Sequence, residues 1–148
     1  MRLSHLNLIV SDIEQSLDFY TRILGFHYVR HLHDRKVILD SGGFDFFIEE
    51  GEDIPHHPRF HFGIETSEAG VRRLADHLAR MGIPQVVGPQ PTGLAELYVT
   101  PDGVRTVFYF CDPDGYMIEV YSHIGVDVGY VDPRHAAAKT GGVPPIMS

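Results

Sequence analysis

The sequence predicts an α+β fold of two βαβββ modules, and three observations predict it. The chain nearly repeats itself: residues 4–29, SHLNLIVSDIEQSLDFYTRILGFHYV, line up with residues 60–86, FHFGIETSEAGVRRLADHLARMGIPQV. Each copy passes from a short apolar strand into a helical pattern that stops at a glycine, Gly25 in one and Gly82 in the other. Beyond each helix the apolar period changes to that of strands, with turn residues between them.

The elements follow in order from local chemistry. Each first strand opens on a histidine, His5 or His61, and a serine follows at the same spacing, Ser11 or Ser67. Ser11 and Glu14 have the spacing of a capping box, in which two side chains satisfy backbone N–H groups left over at a helix start. Ile13, Leu17, Tyr20 and Leu24 then recur at helical spacing, as do Val71, Leu74, Ala75 and Leu78, so one face of each helix is buried. In the first half HYVRHL and KVILD flank His33-Asp34-Arg35, and Ser41-Gly42-Gly43 leads into FDFFIEE. In the second, PQVVG, AELYV and VRTVFYF are separated by Gly/Pro turns, with a longer hairpin around Pro101-Asp102-Gly103, and Asp112-Pro113-Asp114-Gly115 leads into YMIEVY. The closing strands match as Phe47-Ile48-Glu49 against Met117-Ile118-Glu119. Module one spans 1–50, a Gly/Pro linker 51–59, module two 60–123, and a Gly-, Ala- and Pro-rich tail 124–148.

Length and composition narrow the function classes. A chain of 148 residues fits one domain and buries enough surface to fold without staples. Its single cysteine, Cys111, rules out an intramolecular disulfide and reads as a small buried residue. With no secretory signal pattern and no long apolar run, a soluble protein of a reducing compartment, the cytoplasm, is the expectation. Twelve Lys and Arg against twenty Asp and Glu leave a net charge of −8, which speaks against nucleic acid and membrane surfaces and for a small-molecule partner. Ten histidines are many for this length.

Their placement carries the chemistry. A repeated βαβββ unit brings equivalent strands together about a pseudo-two-fold axis, and the equivalent polar residues are two histidines, His5 and His61, and two glutamates, Glu49 and Glu119. Alternation puts His5 on one face with Asn7 and Ile9, and Glu119 with Met117 and Tyr121. Buried carboxylates are normally paired or metal-bound, so matching imidazoles and carboxylates call for a shared divalent cation: Ni, Zn, Mn, Co or Fe. Glu50 takes the place of Glu49 if that strand slips by one residue. His27, His31 and His33 are expected on one strand face, and His56 and His57 in solvent within the linker.

HLNLIVSD, SLDFYTRILGF, HFGIE and FYFCDPDGYMIEVY, in this order, resemble the vicinal oxygen chelate superfamily, which includes glyoxalase I, fosfomycin-resistance enzymes, extradiol dioxygenases, methylmalonyl-CoA epimerase and bleomycin-binding proteins. The resemblance covers residues 1 to 123 and implies a curved sheet around a metal cavity, with His5, His61 and Glu119 as ligands. Glu49 matches a fourth ligand of glyoxalase I, which implies a glyoxalase-type lyase or isomerase working through an enediolate, with Glu119 or Glu49 as base. Ile9 stands where glyoxalase I has an arginine for glutathione, and Asn7 where fosfomycin enzymes prefer threonine. Tyr109 matches a tyrosine of the extradiol dioxygenases, whose catalytic histidine has no counterpart at residues 100–102. Tyr109, Arg105 and Asn7 are the expected substrate contacts. An iron-dependent ring-cleaving dioxygenase and a metal-free drug-binding protein are the alternatives. The resemblance also implies a homodimer, its metal site built within one chain or across two.

Overall fold

A computed structural model describes residues 1–55, 57–88, 96–99 and 105–123. The hairpin expected around Pro101 and the tail from 124 lie outside these residues, as does His56. Module one contains β1 (His5–Val10), α1 (Ile13–Asp18), β2 (His27–His33), β3 (Lys36–Ser41) and β4 (Phe44–Glu50). Helix α1 continues as a π-helical turn over Phe19–Ile23. Module two contains β5 (His61–Glu65), α2 (Glu68–Arg80), β6 (Gln85–Val86), β7 (Tyr98–Val99), β8 (Arg105–Cys111) and β9 (Met117–His123). The sheets run β1-β4-β3-β2 and β5-β9-β8-β6, with β7 also on β8, and in each the first strand lies parallel to the last. Module one is βαβββ, and module two follows the same plan with one strand in two pieces, β6 and β7 each pairing antiparallel with β8.

Both helix ends form as glycine chemistry dictates: Gly25 and Gly82 sit at φ 76° and 72°, where a Cβ would be strained. The start of α1 differs from the expected capping box. Asp12 is the N-cap, its Oδ1 accepting from Gln15 N at 3.0 Å. Ser11 is drawn away by the other module, its N–H donating to Asp114 Oδ2 at 3.0 Å and its hydroxyl to Asp114 Oδ1.

Each sheet turns one apolar face to a core shared by the two modules. Leu8, Val10, Val37, Leu39, Phe46 and Ile48 from the first meet Phe108, Phe110, Ile118 and Val120 from the second, with Phe19 and Tyr20 between them. The Phe46 ring lies 5.5 Å from Phe62, and Phe19 lies 6.2 Å from Phe110. Polar latches complete the junction: Tyr20 OH donates to Asp112 Oδ2 at 2.7 Å and Tyr116 OH to the Ile9 carbonyl at 2.7 Å. The faces bearing His5 and His61 lie on the other side of their sheets, away from this core.

The pairings of β2 correct one expectation. Its register shifts between Tyr28 and Arg30 and again between His31 and His33. Each irregularity inserts a residue and reverses the alternation. His27, Arg30 and His33 consequently pair with Asp40, Ile38 and Lys36 on one face, whereas His31 pairs with Val37 on the other and accepts or donates a 2.9 Å hydrogen bond with Tyr28 OH.

Candidate metal centre

The second module brings two of the expected ligands together. His61 opens β5 opposite Met117, and Glu119 stands two residues further along β9, opposite Gly63. Side chains two residues apart project from the same face. His61 Nε2 and Glu119 Oε2 approach to 3.2 Å, with side-chain exposures of 30% and 13%. The other ring nitrogen, Nδ1, lies 3.0 Å from the Arg59 carbonyl oxygen. A carbonyl only accepts, so Nδ1 carries the hydrogen and Nε2 of the neutral ring presents a lone pair to a carboxylate oxygen. Two acceptors facing each other at this distance need a cation: a ring proton or a metal ion. One imidazole nitrogen and one carboxylate oxygen are borderline donors, suited to the divalent ions expected from the sequence. The donor chemistry fits a metal.

Tyr109, opposite Glu119 on β8, has its ring 6.1 Å from His61 and only 1% of its surface exposed. Gly88 packs against that ring so closely that a Cβ there would collide with it. Arg105 begins β8 on the same face, its guanidinium carbon 5.3 Å from the Tyr121 ring centre. Tyr121 was not foreseen as a site residue, although its alternation with Glu119 was visible. Cys111 is also on this face, and burial followed by the nearby Asp112 charge pushes its thiol pKa up, which keeps it from being a ready thiolate.

Module one does not mirror this arrangement. His5 is opposite Asp45, Asn7 opposite Phe47 and Ile9 opposite Glu49. The position corresponding to Glu119, two residues along the last strand from the histidine's partner, is therefore Phe47, and its ring lies 5.7 Å from that of His5. Glu49 lies one further step along, at the position of Tyr121, which corrects the expected pairing of Glu49 with Glu119. Four residues of strand, about 13 Å, separate it from the partner of His5. Its Oε2 accepts from Lys36 Nζ at 3.0 Å and from Asn7 Nδ2 at 3.1 Å. Lys36 first, then Asn7, holds the Glu49 carboxyl below its usual pKa. Glu50 serves α1 instead, accepting from Ile13 N at 3.0 Å. His5 is exposed, with Nδ1 3.2 Å from Ser4 Oγ. Among the described residues no group of three or more His, Cys, Asp or Glu gathers in a way that could hold a metal.

Comparisons with known proteins agree with the fold. Residues 2–120 match the family model described as the Glyoxalase/Bleomycin resistance protein/Dioxygenase superfamily. A trivalent organoarsenical cleaving enzyme of Bacillus sp. (strain MD1) is 31% identical over 85 residues, a match spanning 56% of this chain and 53% of that protein, about half its length. A virulence protein of Salmonella typhimurium is 29% identical over 129 residues, covering 83% of this chain and 85% of that one. The crystal structure of a fosfomycin resistance protein from Listeria monocytogenes superimposes with a TM-score of 0.69 at 19% identity, covering 84% of this chain and 95% of that chain.

Proposed function

The chain belongs to the glyoxalase/bleomycin resistance protein/dioxygenase superfamily, and from that premise we propose that it is a divalent-metal-dependent enzyme acting on a small oxygenated substrate. The observation that carries the proposal is the 3.2 Å approach of His61 Nε2 to Glu119 Oε2 with Nδ1 committed to the Arg59 carbonyl. We assign His61, Glu119 and His5 as the ligands. Because His5 does not join the pair within the chain, the third ligand comes from a second copy, which makes the working unit a homodimer. Glu49, tied to Lys36 and one row away, is left out of the ligand set.

When bound, the ion would act as a Lewis acid on a substrate oxygen and acidify the neighbouring C–H. The remaining work belongs to side chains. Arg59 fixes the His61 tautomer through its carbonyl, so that Nε2 stays a donor of its lone pair. Glu119 holds Oε2 toward His61 and has Oε1 as the atom that receives the substrate proton, which supports a lyase or isomerase. Tyr109, wedged against Gly88, forms a fixed wall beside the reacting atoms and keeps water from that side. A second reading, iron-dependent ring cleavage, is favoured by one observation: with Phe47 at the fourth position the set reduces to two histidines and one carboxylate, the set of many iron oxygenases.

Elemental analysis of protein purified without added metal tests the proposal. Wild type should retain a divalent ion through a chelator wash, which a metal-free drug binder would not. His61→Ala and Glu119→Ala should lose it, and Glu49→Ala should keep it. Mixing His5→Ala with His61→Ala chains should restore one of the two composite sites in each mixed dimer, about a quarter of all sites in a random equimolar mixture, because that site then has all its ligands. Full retention by Glu119→Ala would refute the site. Oxygen uptake by the iron-loaded protein on catechol addition would move the reaction to the second reading.

A further inference from the structure

The face that carries His61 and Glu119 continues along β8 and β9 past the metal pair. Register places Tyr109 beside Glu119, then Val107 beside Tyr121, then Arg105 beside His123. Tyr121 does not stand upright in its own row: a Cβ on Gly63, the residue opposite Glu119, would come within 3.0 Å of Tyr121 Cε1. Its ring therefore leans back over Gly63 toward the row of Glu119. Module one has Asn7 two residues after its histidine, where module two has Gly63, so the space for this lean exists in one half only. On the ring sits the guanidinium of Arg105, its carbon 5.3 Å from the centroid. Among the described residues Arg105 is the one Lys or Arg on this face of the second sheet, a face that otherwise bears Glu65 and Glu119.

We infer that the substrate is a small anion whose acidic group is received by Arg105 while its reacting oxygen lies at the His61–Glu119 pair, with the Tyr121 ring as the floor between them. This rests on the reading of His61 and Glu119 as the reactive centre. A guanidinium held over an aromatic ring keeps its planar fork oriented for two-point binding of carboxylate, phosphate or phosphonate. The two-row separation, shortened by the lean of the ring, sets the distance between the anionic group and the reacting oxygen at roughly 10 Å. The same contact disfavours a cationic guest, because the ring face that would attract it is already covered by Arg105.

Calorimetric titration with phenylphosphonate and with phenyltrimethylammonium, which share a ring and differ in charge, tests the inference on metal-free and zinc-loaded protein. Phenylphosphonate should bind wild type, and the ammonium compound should not. Arg105→Met should weaken phenylphosphonate by about tenfold or more with unchanged metal content, Arg105→Lys should recover part of the loss, and Tyr121→Phe should retain binding. Equal binding by Arg105→Met and wild type, or preference for the cation, would overturn it. A circular-dichroism melt of each variant separates lost binding from lost folding. Because the metal-free arm reads the anion contact alone, its failure is distinguishable from failure of the metal centre, which metal content reports separately.

Discussion

Asp112 joins the modules, and removing its carboxylate should be costly. The side chain is 5% exposed; Oδ2 accepts from the fully buried Tyr20 hydroxyl at 2.7 Å, and Oδ1 from the N–H groups of Asp114 at 3.0 Å and Tyr116 at 2.8 Å. Asp112→Ala leaves three donors without their acceptor. Bonds to a charged acceptor contribute about 1.5–3 kcal/mol each, and a stranded buried hydroxyl alone costs about 1–3 kcal/mol. Against this, the variant no longer buries a charge, and burial is the leading cause that raises the Asp112 pKa above its ordinary 3.8. The expected net loss is about 3 kcal/mol, a large share of the 5–15 kcal/mol typical of a domain. Asp112→Asn keeps the Oδ1 contacts and turns its amide toward Tyr20, so it should lose about 1 kcal/mol or less. Urea denaturation at neutral pH measures both. A loss in Asp112→Ala below about 1 kcal/mol would refute the view that this turn fastens the modules. The pH dependence supplies an independent check. A carboxyl whose folded pKa is raised binds its proton more tightly when folded, so its contribution to stability grows as pH falls through that raised value and is complete below 3.8. The stability of wild type relative to Asp112→Asn should therefore rise on acidification across that window.

Gly88→Ala should lose about 1–3 kcal/mol, read from thermal or urea unfolding, because its Cβ meets the buried Tyr109 ring; an unchanged midpoint would mean that the wall beside His61 is loose. Lys36→Met should return the Glu49 carboxyl upward toward its ordinary pKa, visible in an NMR titration of its side-chain carbon, since Lys36 is the leading cause of the depression. In Gly82→Ala the φ of 72° is retained at a cost of about 1 kcal/mol or the end of α2 frays, with loss of amide protection in that turn by hydrogen exchange.

Much of the architecture was legible because it depends on local periodicity. The helical spacing of Val71, Ala75 and Leu78, the glycine stops and the turn residues between strands are short-range signals, and among the described residues the elements formed in the order they gave, with α1 capped by Asp12 in place of Ser11 and with β6 and β7 shorter than the runs that predicted them. His61 and Glu119 were legible as a pair because the parallel β5–β9 pairing keeps their faces together. Glu49 was misplaced for a reason that periodicity cannot repair. A strand's in-and-out pattern repeats every two residues, so sliding β4 by two leaves Phe46 and Ile48 in the core and changes only which outward residue stands beside β1.

The amino-acid sequence alone thus determined the two modules, their helices and strands, and the face on which each site residue lies, since those follow from local propensity and the burial of apolar stripes. Tertiary structure decided which row each residue occupies: Phe47 rather than Glu49 at the position that matches Glu119, the reversals in β2 that separate His31 from His27 and His33, and the lean of Tyr121 over Gly63. These depend on inter-strand register and on contacts between residues distant in the chain, which an alternating pattern leaves free to shift in steps of two.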